Sequence, residues 1–438
     1  PATVLSDVPT AFTTREGLPY QPQNYDHTWH GPMSLRQALA TSNNIIAVKV
    51  LDHVGIDAMI ATAQSLGIST FGGDRHFGLS LTLGGGEVSL LELTGAYATF
   101  ANAGDWLAPR AILAVTTDDA TPQRVLSVLR QPSSVNAPVA YLITSILSDD
   151  GARIGAFGED SVLKLSRPAA AKTGTTTDWR DNWTLGYTPD LAVGVWVGNA
   201  DNTPMYQVSG ITGAGPIWHD FMEAAHAGRP ARGFVRPTGI VDADICDTSG
   251  LLATNLCPRR RREVFIAGTE PIRADDSYMA LSVDSATGLL WADGCTGQRI
   301  TKVYRVLPLE AQQWGRENGF ESMPQYDCKN QITENGQPPA VSSAASLIVT
   351  SPAPNTTFAL TPYLPSEAQQ IEIGARLSTR NPVHDLRLLV DGQALATFTE
   401  PPYRALWQLQ VGEHTIQAVG TDGEGQRVES ALVRFRVQ

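Results

Sequence analysis

No apolar run in the 438 residues approaches the roughly 18–20 needed to span a bilayer. The nearest stretch, 45–61, is interrupted by Lys49, Asp52, His53 and Asp57, so no transmembrane helix is expected within it. There is no initiator methionine, and Pro1-Ala2-Thr3-Val4 has neither a basic n-region nor an apolar core. The expectation is an N-terminus that was cut or not captured, with any anchor or export signal upstream of it. Cations are outnumbered, 32 Lys and Arg against 44 Asp and Glu, for a net charge of -12. That balance argues against nucleic acid as a partner, since its phosphates demand clustered cations. Cysteine is scarce: Cys246, Cys257, Cys295 and Cys328, with no C-x-x-C or Cys/His pair at zinc spacing. His27, His30, His53, His76, His219 and His226 show no metal spacing either. No metal and no cofactor are expected. The even cysteine count leaves disulfides open; a Cys246–Cys257 bridge would close a short loop around Gly250, adding roughly 2–3 kcal/mol in an oxidising compartment.

What remains is an ordinary packed composition, 42% apolar and 17% charged, long enough for two or three domains. Residues 1–33 are rich in Pro, Thr and polar side chains and read as an extended segment. From Ser34, a plausible N-cap, Leu35, Ala38 and Leu39 recur at helical spacing. The stripe resumes at Ile46, Val50, Leu51 and Val54 after the polar break Thr41-Ser42-Asn43-Asn44, and Gly55 is a natural helix terminator. Further helices are expected over 56–66, 88–103 and 138–147. Period-two patterning then predicts strands over 169–176, 182–188 and 191–198, the last two joined by Thr188-Pro189-Asp190. Pro216 starts a helix ending near Gly228, expected to turn Trp218, Phe221, Met222 and Ala225 inward.

Residues 229–335 look irregular and hold all four cysteines and the run Arg259-Arg260-Arg261-Arg262, read as a solvated loop with contact to an anionic wall polymer as the rival. Residues 330–345 have linker composition. Beyond them six or seven short apolar alternations, separated by turns such as Asp391-Gly392, predict a small β-sandwich. The expected organisation is therefore α+β: a helical cluster on an antiparallel sheet over 1–228, a connecting region over 229–335, and an all-β sandwich over 336–438.

Two short motifs carry chemistry. Ser42-Asn43-Asn44 is an S-x-N triplet between helices, and Lys172-Thr173-Gly174-Thr175 lies on a predicted strand. Each alone is weak: the first also describes a helix cap, the second a sheet edge with a glycine. Together, in this order, they match elements of serine acyl-transfer enzymes. Attack on a peptide carbonyl requires a proton acceptor beside the nucleophile and donors for the oxyanion. Ser42 and Lys172 suit proton relay. Asn44 offers an amide to a substrate carbonyl or to a lysine. Thr173 and Thr175 offer hydroxyls to a terminal carboxylate, Gly174 leaves room for the acyl donor, and the Thr175 N–H is a candidate oxyanion donor.

The stretches SLRQALATSNNIIAVKVL, LTLGGGEVSLLELTGAYATFANAG and AAAKTGTTTDWRDNWTLGYTPDLAVGVWVGNADNTPM strongly resemble transpeptidase sequence of class A penicillin-binding proteins. The DICDTSGLL segment and the β-rich tail resemble the 1C subgroup. The resemblance implies a penicillin-binding/β-lactamase-like fold and an extracytoplasmic, periplasm-facing enzyme of peptidoglycan cross-linking. It also implies stem peptides ending in D-Ala-D-Ala as substrates, β-lactams as inhibitors, and an upstream glycosyltransferase domain with a membrane anchor. In that family an S-x-x-K nucleophile precedes S-x-N. The one S-x-x-K here, Ser161-Val162-Leu163-Lys164, follows it, so the nucleophile is expected to be missing and the fragment inactive alone. The rival classes are a non-catalytic wall-binding or penicillin-sensing module and a β-lactamase or D,D-carboxypeptidase. Asp178, Arg180 and Asp181 are read as a salt-bridged loop, with the rim of the cleft as the alternative. Trp183 and Trp196 are read as core.

Overall fold

In a computed structural model the chain divides into two compact units, Pro1–Phe12 with Tyr20–Gln325 and Thr13–Pro19 with Tyr326–Gln438. The described residues are 1–13, 19–72, 77–112, 115–116, 122–123, 130–131, 135–176, 179–206, 208–324, 326–328, 347–352, 356–358, 360, 369–377, 383–399, 403–422 and 427–437. His76, Asp178 and the linker-like tract fall outside them.

The first unit opens with strand β1 (Val4–Asp7), paired antiparallel with β2 (Gly31–Ser34). The N-terminal tract is thus more than an extended segment: Ser6 and Asp7 are buried. Helix α1 (Leu35–Ala40) follows, with Ser34 and Gln37 forming a reciprocal capping box. Next come α2 (Asn44–Val54), capped by Asn43 and ended by Gly55 at φ +88°, and α3 (Ile56–Ser65). Helix α4 (Leu90–Ala101) starts two residues later than the apolar pattern indicates, because Ser89 supplies the cap. α5 (Ala137–Leu147) is capped by Asn136, and α6 (Asp150–Phe157), absent from the sequence reading, follows at once.

The sheet is β3 (Ala170–Thr175), β4 (Asp181–Tyr187) and β5 (Ala192–Gly198), ordered β5-β4-β3 and antiparallel throughout. α7 (Ala214–Ala225) covers one face, burying Trp218 and Met222 against Leu163, Ala169 and Ala171. Phe221 is 55% exposed, against the inward orientation expected from sequence, and the buried stripe continues through His226 instead, one helical repeat after Met222. α4 and α5 pack against the same sheet, where Tyr187 is buried with Leu147 and Ala170. Two glycines allow the close approach: a Cβ on Gly186 would strike the Trp218 ring, and one on Gly194 would strike Thr94 of α4.

Residues 240–317 are more regular than expected. They form the hairpins β6 (Ile240–Cys246) with β7 (Arg260–Ile266) and β8 (Tyr278–Asp284) with β9 (Arg299–Arg305), then a short helix α8 (Gln312–Glu317). The arginine run is therefore largely strand, not loop: Arg260 and Arg262 face solvent while Glu263 and Phe265 are buried. Cys246 and Cys257 are disulfide-bonded, and no cysteine is free.

The second unit is all β. It has a three-stranded sheet of β10 (Leu347–Ser351), β11 (Gln370–Leu377) and β14 (Tyr403–Gln408), and a second built on β12 (Val383–Val390), β13 (Gln393–Phe398), β15 (Gly412–Asp422) and β16 (Val433–Val437). Ile373, Leu386, Leu388, Ile416 and Phe435 fill the space between them. The Gln393–Phe398 strand was not expected, since its small and polar residues give no clear alternation. No helix among the described residues is long and apolar enough to cross a membrane.

The tie between hairpin and helix is ionic. Arg36 of α1, 5% exposed, donates to Glu263 of β7, 1% exposed, through Nε at 2.7 Å and Nη2 at 2.5 Å. Its Nη1 also reaches the Ser145 carbonyl and Asp149. Removing Glu263 leaves the buried Arg36 guanidinium with only Asp149 and Ser145 as partners, so Glu263→Ala is expected to cost about 3 kcal/mol. Replacing both by apolar residues, Arg36→Met with Glu263→Leu, should cost less than the single change. Urea unfolding of the two variants checks both statements.

Candidate functional site

Chain reversal after α1 builds the first wall of the cleft. The Ser42 N–H bonds to the Leu39 carbonyl at 3.3 Å and the Asn43 N–H to the Ala38 carbonyl at 2.8 Å. These are the two bonds of a Schellman turn, which places its pivotal residue in the left-handed region. Glycine usually fills that position; here it is Ser42, at φ +61°. The strain, about 1–2 kcal/mol, secures a hydroxyl at a fixed point. Asn43 then caps α2, its Oδ1 accepting from the Ile46 N–H at 2.9 Å.

Strand β3 builds the facing wall. Lys172 donates from Nζ to Ser42 Oγ at 2.6 Å and to the Thr173 carbonyl at 2.7 Å. Burial of the amine, reinforced by the positive charge of Arg153 on α6, lowers its pKa from 10.5 to about 8. Arg153 is itself 2% exposed and held by Asp150 and the carbonyls of Leu147 and Leu163. The lowered pKa raises the share of Lys172 that is neutral near physiological pH, and a neutral amine accepts a proton that an ammonium cannot.

Between the walls lies a cleft of about 1020 Å³, which Ser42, Asn44, Lys172, Thr173, Gly174 and Thr175 all line. Their roles divide unequally. The Asn44 amide donates to the Gln23 carbonyl at 2.8 Å, and the Lys172 amine donates to Ser42 and Thr173. The Thr175 hydroxyl accepts from the Gly210 N–H at 3.0 Å, which anchors it while leaving its own proton free to donate. A Cβ at Gly174 would meet only Trp183, at 3.6 Å, so the space over this residue is open.

Three readings change. Trp183 and Trp196 are not core: both line the cleft, Trp196 is 38% exposed, and the rings meet edge-on at 6.5 Å. Asp181 also lines the cleft, accepting from Trp196 Nε1 at 2.9 Å and from the Thr176 hydroxyl at 3.1 Å, so the rim alternative holds for it. Arg180 donates to the Asn202 carbonyl at 2.6 Å. Ser161 is buried, its Oγ accepting from the Leu163 N–H, and does not line the cleft. Among the described residues the cleft holds one serine, Ser42. Sequence reasoning missed Asn24 and Asp7, which hold the Ser42 turn from behind; an Asp and an Asn in a polar, aperiodic tract give no signal of burial. As for metal, Cys246, Cys257 and Asp275 are close enough to share an ion, but the two sulfurs are bonded to each other.

Two outcomes follow from this geometry. Lys172 should titrate with a midpoint near 8 by NMR of ¹³C-labelled lysine. Its pKa is depressed on folding, so the burial penalty is fully present below pH 8 and is relieved as pH rises from there toward the unfolded value near 10.4. Stability should rise with pH across that window, where the unfolded chain holds the extra proton. At the turn, Ser42→Ala loses the hydroxyl and keeps the left-handed strain, whereas Ser42→Gly loses both. Denaturation should find Ser42→Gly the more stable of the two by about 1 kcal/mol.

The Penicillin binding protein transpeptidase domain family matches residues 9–223. The family described as Penicillin-binding protein 1A, C-terminal domain matches 236–280, and the Penicillin-Binding Protein C-terminus Family matches 337–433. Penicillin-binding protein 2D of Bacillus subtilis is 33% identical over 281 residues, covering 62% of this chain and 39% of that protein. Penicillin-binding protein 1A of Clostridium botulinum is 31% identical over 283 residues, covering 63% and 34%. The crystal structure of penicillin-binding protein 1A from Haemophilus influenzae superposes with a TM-score of 0.55 at 28% identity, covering 62% of this chain and 46% of that one. The chain thus spans less than half the length of these relatives. With the transpeptidase domain and both C-terminal families in order along it, the chain belongs to the penicillin-binding proteins.

Proposed function

We propose that the cleft is the acyl-transfer site of a peptidoglycan D,D-transpeptidase, and that β-lactams acylate the same site. The observation that carries this reading is the 2.6 Å contact between Ser42 Oγ and Lys172 Nζ across a cleft lined by both motifs. The D-alanyl carboxylate docks against Lys172, Thr173 and Thr175, which line the cleft together on β3. Its acyl carbonyl lies along β3 over Gly174, with the Thr175 N–H donating to the developing oxyanion. Ser42 and Lys172 pass the proton from the nucleophile to the departing D-alanine nitrogen, as their contact and the lowered lysine pKa allow. The aminoacyl ester then transfers to an acceptor amine, releasing the nucleophile. Peptidoglycan as substrate puts the protein on the extracytoplasmic face of the plasma membrane, in keeping with a formed disulfide. The 1C subgroup is the reading proposed for the tail; the DICDTSGLL segment lies within residues 236–280, which match the penicillin-binding protein 1A C-terminal domain.

The nucleophile in this reading is a serine of an S-x-x-K segment outside these 438 residues. The one serine lining the cleft among the described residues is bound to Lys172, and Ser161 does not line the cleft. The apolar side of the cleft, with Leu39, Ile46, Leu93, Ile143 and Ile146, suits the packing of such a segment.

The expected outcome is that the 438-residue chain forms no covalent adduct with a fluorescent penicillin, whereas the longer gene product does and also cross-links stem peptides. A stable mass increase at any serine of the shorter chain would defeat the missing-nucleophile reading. Acylation of the longer product without cross-linked peptide would favour a penicillin sensor, and rapid release of hydrolysed penicillin a β-lactamase or D,D-carboxypeptidase.

A further inference from the structure

Next to the Ser42 turn, and not among the residues that line the cleft, lies a buried carboxylate that neither motif includes. Asp7 closes strand β1 with its side chain wholly enclosed. Its Oδ2 accepts from Asn43 Nδ2 at 2.7 Å, from His30 Nδ1 at 2.7 Å and from the His30 N–H at 2.9 Å. Asn24 Nδ2 lies 2.9 Å from each of its oxygens. Asn24, 5% exposed, in turn accepts at Oδ1 from the Asn44 N–H at 3.1 Å and the Ile45 N–H at 3.4 Å. These are unpaired donors in the first turn of α2, and Asn43 satisfies the next, at Ile46. One carboxylate thus gathers three separate segments at a helix N-terminus, where negative charge is favoured.

We infer that Asp7, acting through Asn43 and Asn24, is a positioning residue for acyl transfer: it sets the place of Ser42 and so the alignment of the Ser42–Lys172 pair. The inference rests on the transpeptidase reading and adds a residue to it. Asp7 does not line the cleft and touches neither Ser42 nor Lys172, so its effect is indirect. The physical reason is strain. A non-glycine residue in the left-handed region persists only where its surroundings over-determine it. The Schellman bonds fix Ser42 from the α1 side; the α2 side is fixed by the cap, and the cap residue is held by Asp7. With that bond lost, the Asn43 side chain is held only by the Ile46 N–H, and the start of α2 can shift. A displacement of about 1 Å in a reacting group is enough to lower a rate by about a hundredfold.

The test uses the longer gene product that carries the nucleophile, with Asp7→Asn and the exchange variant Asp7→Asn with Asn43→Asp. Asp7→Asn keeps the shape but faces the donors of Asn24 and Asn43 with a group that has one acceptor oxygen instead of two. The exchange restores a carboxylate–amide bond in the opposite sense and retains a good cap at 43. Expected for Asp7→Asn are a cooperative melt, a tenfold to hundredfold lower acylation constant for fluorescent penicillin with little change in noncovalent binding, and a shifted Lys172 titration midpoint. The exchange should regain most of the lost rate. Acylation of Asp7→Asn at the wild-type rate, or a loss that only tracks the unfolded fraction with Lys172 unmoved, overturns the inference. If the wild-type product is itself not acylated, the transpeptidase reading fails separately. The positioning claim then stands or falls on whether Asp7→Asn moves the Lys172 midpoint.

Discussion

A serine hydroxyl and a lysine amine, 130 residues apart in the chain, meet at 2.6 Å. The first unit is arranged around the constraint of holding them there. Ser42 must occupy a backbone conformation that its own side chain disfavours, and Lys172 must give up hydration that its charge requires. Both are locally costly, and both are offset by packing and hydrogen bonds that have no part in chemistry. The helical reversal fixes the serine, while the sheet, covered by α7 on one face and by α4 and α5, fixes the lysine.

The supports are polar and buried. Asp7 ties three segments behind the turn, and the Arg36–Glu263 pair ties the preceding helix to the β6–β7 hairpin. The hairpin also packs Ile245 and Phe265 on Ala2, at the head of the strand that ends in Asp7. Residues matching the C-terminal family of penicillin-binding protein 1A are thereby joined to the same two elements, β1 and α1, that present Ser42. On this view the hairpin after the transpeptidase region braces the cleft and is not a passive connector. Its disulfide, between the end of β6 and the loop leading to β7, restrains the brace itself.

Errors in reading the sequence cluster where a side chain serves something other than its own element's apolar face. Trp183 and Trp196 have core composition but floor an open cleft, so size and hydrophobicity misplace them. Phe221 sits beside Met222 on α7, yet the buried stripe runs through Trp218, Met222 and His226, and the Thr188 hydroxyl meets the histidine ring. The arginine run is charged at every position and gave no alternation, although strand pairing with Ile240–Cys246 makes it β. Helix α6 shows no apolar stripe because the side chains it buries are a small Ala152 and a cation, Arg153. Helices α1, α2, α4 and α5 are legible to within two residues from their apolar periodicity, and their ends are set by caps at Ser34, Asn43, Ser89 and Asn136, of which the sequence pattern marks Ser34.

Local chemistry is written in the chain, and so are the order and type of the elements and the two motifs. These depend on the residue spacing of helices and strands and on side chains bonding to their own backbone within three or four positions. The sequence therefore determined that a serine-bearing turn and a lysine-bearing strand exist. Tertiary structure alone decided that they face each other, that burial lowers the pKa of the lysine, and that Asp7 and Glu263 support the elements carrying the serine. Those properties arise from burial and from contacts between residues far apart in sequence, and the free energy of a buried charge depends on surroundings that no local pattern specifies.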